Sequence, residues 1–392
     1  MIAETLTHRQ SLDMSSGHRT KKVVHVVQHL RPGGLECLVL DFLRYAPAHW
    51  DVRIISLEGE AKQAVNDWPA LQPFKNQITF LNKSGRGVSV KSIKQLVNYL
   101  NSQDIDVVHS HHIGPLLYAG ISAKLTSLVS TQITSVHTEH DAWHLNASKN
   151  RALQTILLRL TKPILVADAQ AVQSTLATLF PFTQPHTIYN GIDTRSFSLG
   201  DRLNARTALG LCGFNKNDIL IGSAGRLEPV KGHDLLIKAM HFMPTNYKLV
   251  IAGSGSQKET LQNLINHLNL QERVTLLGRV DAMPQFYQSL DGFCLPSRRE
   301  GFPLSALEAQ SCGIPTVVTE VGASVQTLCP TSGSSCAPFR PIALAKILLR
   351  LKPLDKPSAI QTRQYIQHNF DVRSMVKQYQ QLIKKGVHNE YF

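Results

Sequence analysis

The sequence predicts an α/β protein built from two doubly wound parallel-sheet domains that face each other across a cleft. Three observations predict it. Short apolar runs rich in β-branched residues alternate with amphipathic segments, the alternation restarts after residue 189, and the residues able to carry chemistry fall mostly just after predicted strands. The length of 392 residues suits two domains of similar size.

A polar tail, residues 1–20, precedes the first strand. Residues 22–28 (Lys-Val-Val-His-Val-Val-Gln) read as a buried parallel strand. Arg31-Pro-Gly-Gly34 breaks it, and 35–45 reads as a helix with Leu35, Leu38, Val39, Phe42 and Leu43 on one face. Further strands are expected over 52–57, 77–81, 107–110, 132–136 and 164–167. A helix over 88–101 aligns Ile93, Leu96, Val97 and Leu100. The second domain follows Tyr189-Asn-Gly-Ile-Asp193, with a strand over 219–223 and a helix over 233–240. Strands at 247–252, 274–277, 292–295 and 316–319 and a helix over 257–268 continue it. After an apparent break at 351–358, a final helix is expected over about 372–385. The domains are therefore read as 1–190 and 191–371, with 372–392 packing back toward the first.

Lys plus Arg number 41 and Asp plus Glu 28, a net charge of +13. Such a surface favours polyanions: nucleic acid, anionic lipid or phosphorylated small molecules. Few interleaved aromatics and no nucleic-acid motif argue against nucleic acid. Six cysteines (Cys37, Cys212, Cys294, Cys312, Cys329, Cys336) contain no CxxC pair. They are too sparse for a disulfide framework, lack a zinc signature, and read as reduced thiols of a cytoplasmic protein. The N-terminus has no apolar signal core, and the longest near-apolar stretch, 113–136, is interrupted by Lys124 and many Ser and Thr. A soluble protein, or one held at most on a membrane surface, is expected. Lys83, Arg86, Lys91 and Lys94 form either a docking patch or a solvated helix face.

The strongest constellation is Glu300-Gly-Phe-Pro-Leu-Ser-Ala-Leu-Glu308. Glu300 lies in a loop, and Glu308 lies about one turn inside a helix over 305–311. Free amides at a helix start suit an anion; the same spacing also fits ordinary dipole pairing by Glu308 and a solvated Glu300. Gly225-Arg226-Leu-Glu-Pro-Val-Lys231-Gly232 places two cations on one strand-to-helix loop, as a diphosphate needs, although a solvated basic loop looks alike. Gly33-Gly34 occupies the same topological place in the first domain, where glycine allows either a close phosphate approach or a tight turn. His109-Ser-His111-His112 and His137-Thr-Glu-His140-Asp141 would end strands at the cleft. The first has plausible metal ligands without an evident partner; His137 suits a polar substrate or a structural hydrogen bond. Asp104-Ile-Asp106 spells a metal–nucleotide signature at the wrong end of a strand and is read as a turn. Gly253-Ser-Gly255 lacks the spacing and the ribose-binding acid of a dinucleotide site.

From Lys22 onward these residues resemble glycosyltransferase family 4, which has the GT-B fold of two Rossmann-like domains. The segment 296–322 is similar to the family's E-x7-E signature with its glycine–proline turn. Gly33-Gly34-Leu-Glu36, Tyr189-Asn-Gly-Ile-Asp193 and Gly225-Arg226…Lys231-Gly232 match in order and spacing. The resemblance implies a retaining transferase that uses a nucleotide-diphosphate sugar, with no cofactor and no bound metal. It makes 1–190 the acceptor side and 191–371 the donor side. Arg226 and Lys231 would hold the diphosphate and stabilise the leaving group, helped by the amides of Leu304 and Ser305. Glu308 would accept from the ribose hydroxyls, Glu300 and His137 would touch the sugar, Gly33 and Gly34 would close on the phosphates, and the segment around Arg279 would lie beside the base. A lipid-linked or polysaccharide acceptor is expected, as for a cell-envelope enzyme in the cytoplasm or at the inner face of the membrane. A nucleotide-sugar epimerase on a related fold and a non-catalytic sugar-nucleotide-binding subunit are the alternatives. Gln310 and Ser311 depart from the small apolar residues common in the family.

Overall fold

The computed structural model describes residues 19–389, except 86, 131, 212 and 214–216, with side chains to 386. Residues 1–18 of the expected tail, Arg86 and Cys212 lie outside the described residues.

The first sheet has seven parallel strands: β1 (Lys21–Val27), β2 (Trp50–Ser56), β3 (Ile78–Phe80), β4 (Val107–His111), β5 (Thr134–Glu139), β6 (Ile164–Ala167) and β7 (His186–Thr187). Their order is β3-β2-β1-β4-β5-β6-β7. Between them run α1 (Gly34–Tyr45), α2 (Ala61–Asp67), α3 (Val90–Ser102), α4 (Ile113–Val129), α5 (Ser148–Thr161) and α6 (Gln170–Leu179). Alternation along β1 divides the core: Val23 faces the side where Leu38 and Phe42 of α1 pack, and Val24 and Val26 face Leu96, Tyr118 and Ala119 of α3 and α4. Sequence reading missed α4. The helix is apolar on nearly all sides, so no 3.6-residue stripe marks it.

The second sheet has six parallel strands: β8 (Ile219–Ala224), β9 (Tyr247–Ala252), β10 (Val274–Gly278), β11 (Gly292–Leu295), β12 (Thr316–Thr319) and β13 (Gly333–Cys336), in the order β10-β9-β8-β11-β12-β13. Its helices are α7 (Arg202–Ala208), α8 (His233–Met240), α9 (Lys258–His267), α10 (Met283–Gln288), α11 (Leu304–Ser311), α12 (Pro341–Leu348) and α13 (Lys356–Phe370). Helix α13 lies between the break expected at 351–358 and the last helix, in an interval to which sequence reading assigned no element. Asp355 caps it by accepting from the Ser358 amide, and Pro357 in the first turn starts the helix instead of breaking it.

The last helix, α14 (Val372–Asn389), packs on the first sheet through Val372, Met375, Val376, Tyr379 and Ile383. The chain thus crosses between the sheets twice, and the two crossings lie side by side. Ile192 donates its amide to the Phe370 carbonyl, and Val372 donates back to Ile192. A Cβ at Gly191 would stand 2.7 Å from the Val372 backbone, so only glycine permits this approach.

Candidate active site

In an open α/β sheet the ligand crevice lies beyond the strand carboxyl ends where the strand order reverses. The order reverses between β1 and β4 in the first sheet and between β8 and β11 in the second. The loops at these four ends carry Gly33-Gly34, His112, Arg226–Lys231 and 296–302.

In the second domain the two switch-point loops are joined by charge. Lys231 Nζ donates to Glu300 Oε1 at 2.6 Å, and Ser297 Oγ donates to the same oxygen at 2.5 Å, 69 residues from the lysine in the first case. Glu300 is buried; Arg226 is exposed. Glycines let these loops stack. A Cβ at Gly232 (φ +67°) would lie 2.1 Å from the Pro296 carbonyl, and one at Gly253 would lie 1.9 Å from that of Gly225. Gly253-Ser-Gly255 therefore serves close packing of the β8 and β9 loops. Helix α11 starts at Leu304 with Pro303 as N-cap and no side-chain cap, leaving the first amides free. Glu308 sits one turn in, and Tyr287 donates its hydroxyl to Glu308 Oε2 at 2.6 Å. Arg279 donates to Asp281 and, at 2.7 Å, to the Asp67 carbonyl of the first domain, so its side chain bridges the domains.

The first domain closes on these loops. A Cβ at Gly34 would touch Leu304 at 3.8 Å, and one at Gly301 would lie 1.9 Å from the His140 carbonyl. Glu36 is buried near the start of α1, 3.3 Å from His29 Nδ1; burial raises its pKa, while His29, His112 and Arg226 of the opposite domain oppose that rise. A cavity of about 360 Å³ lies between the domains, lined by Asp141, Trp143, Val172, Arg299, Glu300 and Gly322 among others. Sequence reading assigned no role to Glu36, Asp141 or Tyr287. Glu36 stood inside the quoted Gly-Gly-Leu-Glu motif, and the helix-start position was its signal.

The histidines depart from their expected places. His137 is fully buried and does not reach the cleft. Ser110 Oγ lies 2.9 Å from its Nδ1 and Glu139 Oε1 lies 2.9 Å from its Nε2, so neither ring nitrogen is free for a sugar hydroxyl. His109 and His111 are likewise buried inside the sheet; His112 and His140 are the members of these motifs nearer the cleft. His25 of β1 pairs in register with His109. A chain runs from His25 Nδ1 to His111 Nε2 (3.1 Å), from His111 Nδ1 to His140 Nε2 (3.0 Å), and from His140 Nδ1 to Asp168 Oδ2 (3.3 Å). Burial lowers His25 and His140 to about 3 and holds His109 and His111 well below the usual value, so the four rings are neutral at pH 7. Among the described residues, His25, His109 and His111 could hold a metal, their ring nitrogens lying within 4.8 Å of one another. Both nitrogens of His111 already serve the chain and His109 Nε2 pairs with Thr138 Oγ1 at 2.8 Å, whereas His25 Nε2 is buried without a hydrogen-bond partner, so an ion bound by His111 would have to break a bond of the chain.

Burial raises Glu308 to about 7 against the lowering effect of the Tyr287 hydroxyl. In the role the resemblance implies, accepting from ribose hydroxyls, Glu308 works best ionised; donor affinity should then be flat above pH 8 and fall below pH 7, by up to about tenfold per unit. A nucleotide sugar's diphosphate does not titrate there. Calorimetric titration from pH 5.5 to 8.5 tests this; an unchanged affinity would remove Glu308 from the ribose site.

Residues 212–368 match the family described as glycosyl transferases group 1, and residues 32–196 match Glycosyltransferase Family 4. A protein named D-inositol 3-phosphate glycosyltransferase in Mycolicibacterium vanbaalenii is 36% identical over 150 residues, 34% of this chain and 33% of that protein. The protein of the same name in Mycobacterium marinum is 30% identical over 242 residues, 55% of this chain and 49% of that protein. The chain thus spans a third to a half of the length of the curated relatives it matches. The crystal structure of Anabaena HepE in complex with UDP superposes with a TM-score of 0.77 at 20% identity, covering 93% of this chain and all of that one, which shows the GT-B fold.

Proposed function

The chain belongs to glycosyltransferase family 4, and from that premise we propose that it moves a sugar from a nucleotide-diphosphate sugar to a hydroxyl of a lipid-linked or polysaccharide acceptor, with retention and without a bound divalent ion. One observation carries the reading: Arg226 and Lys231 share the loop after β8 at the switch point, and Lys231 is bonded to Glu300 on the loop that leads into the free amides of α11. Fixed cations and helix-start amides are what a diphosphate leaving group requires as its charge develops. The UDP in the HepE structures and the relatives' transferase names agree with a nucleotide-sugar donor.

In this reading Arg226 and Lys231 neutralise the departing diphosphate, with the amides of Leu304 and Ser305. Glu308 accepts from the ribose, Glu300 stands beside the sugar, the backbone around Arg279 lies along the base, and Gly33 and Gly34 admit the phosphates. The bond from the anomeric carbon to the phosphate oxygen breaks first. The acceptor oxygen then bonds to the same face of that carbon, and its proton passes to the leaving phosphate. His137 is assigned to positioning Glu139, not to the sugar. The charge of +13, with no helix among the described residues long and apolar enough to cross a membrane, agrees with a cytoplasmic enzyme working at the membrane surface.

The test is a screen of UDP-, GDP- and ADP-sugars for thermal stabilisation and slow hydrolysis in EDTA. One donor class should stabilise the protein and be hydrolysed equally with and without chelator. Activity that disappears with EDTA and returns with magnesium removes the metal-independent mechanism. Release of an epimerised sugar nucleotide favours the epimerase, and binding without turnover on any acceptor favours the non-catalytic subunit.

A further inference from the structure

Helix α5 is apolar on the wrong side as well as the right one. Its inner face buries Leu157 and Leu158, yet its outer face carries Leu153, Ile156 and Leu160, which are 38%, 61% and 52% exposed. These sit at i, i+3 and i+7, one stripe along the helix. The stripe continues onto Phe182, 44% exposed, whose ring lies 4.6 Å beneath the Arg159 guanidinium. Lys149, Arg159 and Lys162 flank it, all exposed. Neither α4 nor α5 contains an acidic residue. Helix α5 directly follows the turn 143–146, whose Trp143 lines the interdomain cavity.

We propose that this outer face of α5, with Phe182, docks on an anionic phospholipid bilayer. A water-facing apolar stripe bordered only by cations is complementary to acyl chains under anionic headgroups. A second copy of the same face would bring like charges together, which argues against self-association. The basic patch expected at Lys83, Arg86, Lys91 and Lys94 fits less well. Lys83 is nearly covered, 3.6 Å from Glu58. The proposal rests on the reading of a lipid-linked acceptor, because docking through α5 would hold the cavity mouth against the surface where such an acceptor is anchored.

The experiment measures sedimentation with vesicles of phosphatidylcholine alone or mixed with phosphatidylglycerol, at low and high salt. It compares the full chain, the pair Ile156→Glu and Leu160→Glu, and the pair Lys91→Glu and Lys94→Glu. The unchanged protein should bind the anionic vesicles in a salt-sensitive way, and the α5 pair should lose about tenfold or more of that binding. Circular dichroism confirms that these exposed substitutions leave the fold intact. Equal binding by the α5 pair, loss only in the Lys91/Lys94 pair, or no binding by the unchanged protein overturns the proposal. So does a concentration-dependent dimer that the α5 substitutions disperse without any vesicle effect. Donor hydrolysis without vesicles separates the two readings. Vesicle binding without hydrolysis keeps the surface and removes the transferase, whereas equal hydrolysis without vesicle binding does the reverse.

Discussion

Replacing Arg226 with alanine should lower turnover by about 10²–10³-fold while the protein stays folded. The side chain is exposed at the cleft and has no burial to lose. Its loop follows β8 at the switch point, where its charge reaches Glu36 of the other domain. Positive charge placed there acts most when the leaving diphosphate gains negative charge, so the loss should appear in kcat and not only in KM. Lys231→Ala should cost a similar factor and also leave the buried Glu300 without its cation. Steady-state kinetics with the donor found in EDTA, alongside circular dichroism, decide the matter. A folded Arg226→Ala protein with near-normal turnover would falsify the assigned role.

Glu139→Ala should destabilise the protein by about 3–5 kcal/mol. Glu139 is fully buried, lies 2.9 Å from His137 Nε2, and accepts from Gln154 Nε2 at 2.7 Å. His112 and His144 approach within 3.8 and 3.9 Å. Burial alone would raise its pKa, but His137, His112 and His144 outweigh burial and hold the carboxyl well below the usual range. Removing the carboxylate leaves several donors pointing at a void. Because the folded value is depressed, the contribution is present above the ordinary value of 4.5 and is lost as the pH falls toward the folded one. The gap between the unchanged and substituted proteins should therefore narrow below pH 4.5, and narrow again as the pH rises from 6.5 toward 9, where the share that Glu139 contributes by raising His144 to about 9 is lost. Glu139→Gln, which keeps an acceptor for His137, should lose less, about 1–3 kcal/mol. Urea unfolding across pH measures both, and a loss below about 1 kcal/mol for the alanine variant would mean the site behaves like a solvated surface pair.

Much of the candidate site in the second domain was legible because its signals are local. Lys231 and Arg226 stand on a single strand-to-helix loop, and Glu300 and Glu308 flank a single helix start. A short apolar run, a glycine-bearing loop and a helix start specify the turn itself. The first domain was read less well. His137 fell two residues too deep in β5 to reach the cleft, and alternation cannot say where a strand stops facing solvent. His25 was read only as part of an apolar strand. A buried imidazole demands a partner, which was the available signal, but its partner His111 lies 86 residues away.

By itself the sequence determined the two α/β halves, their order, the glycine-lined turns and the residue types able to meet a diphosphate, because each depends on patterns a few residues long. Tertiary structure alone decided that Glu36 comes under the influence of Arg226, that four histidines share one buried polar core, and that α5 turns an apolar face to water. These depend on strand register and on how two domains close, which many weak contacts distant in sequence settle together and no local pattern encodes.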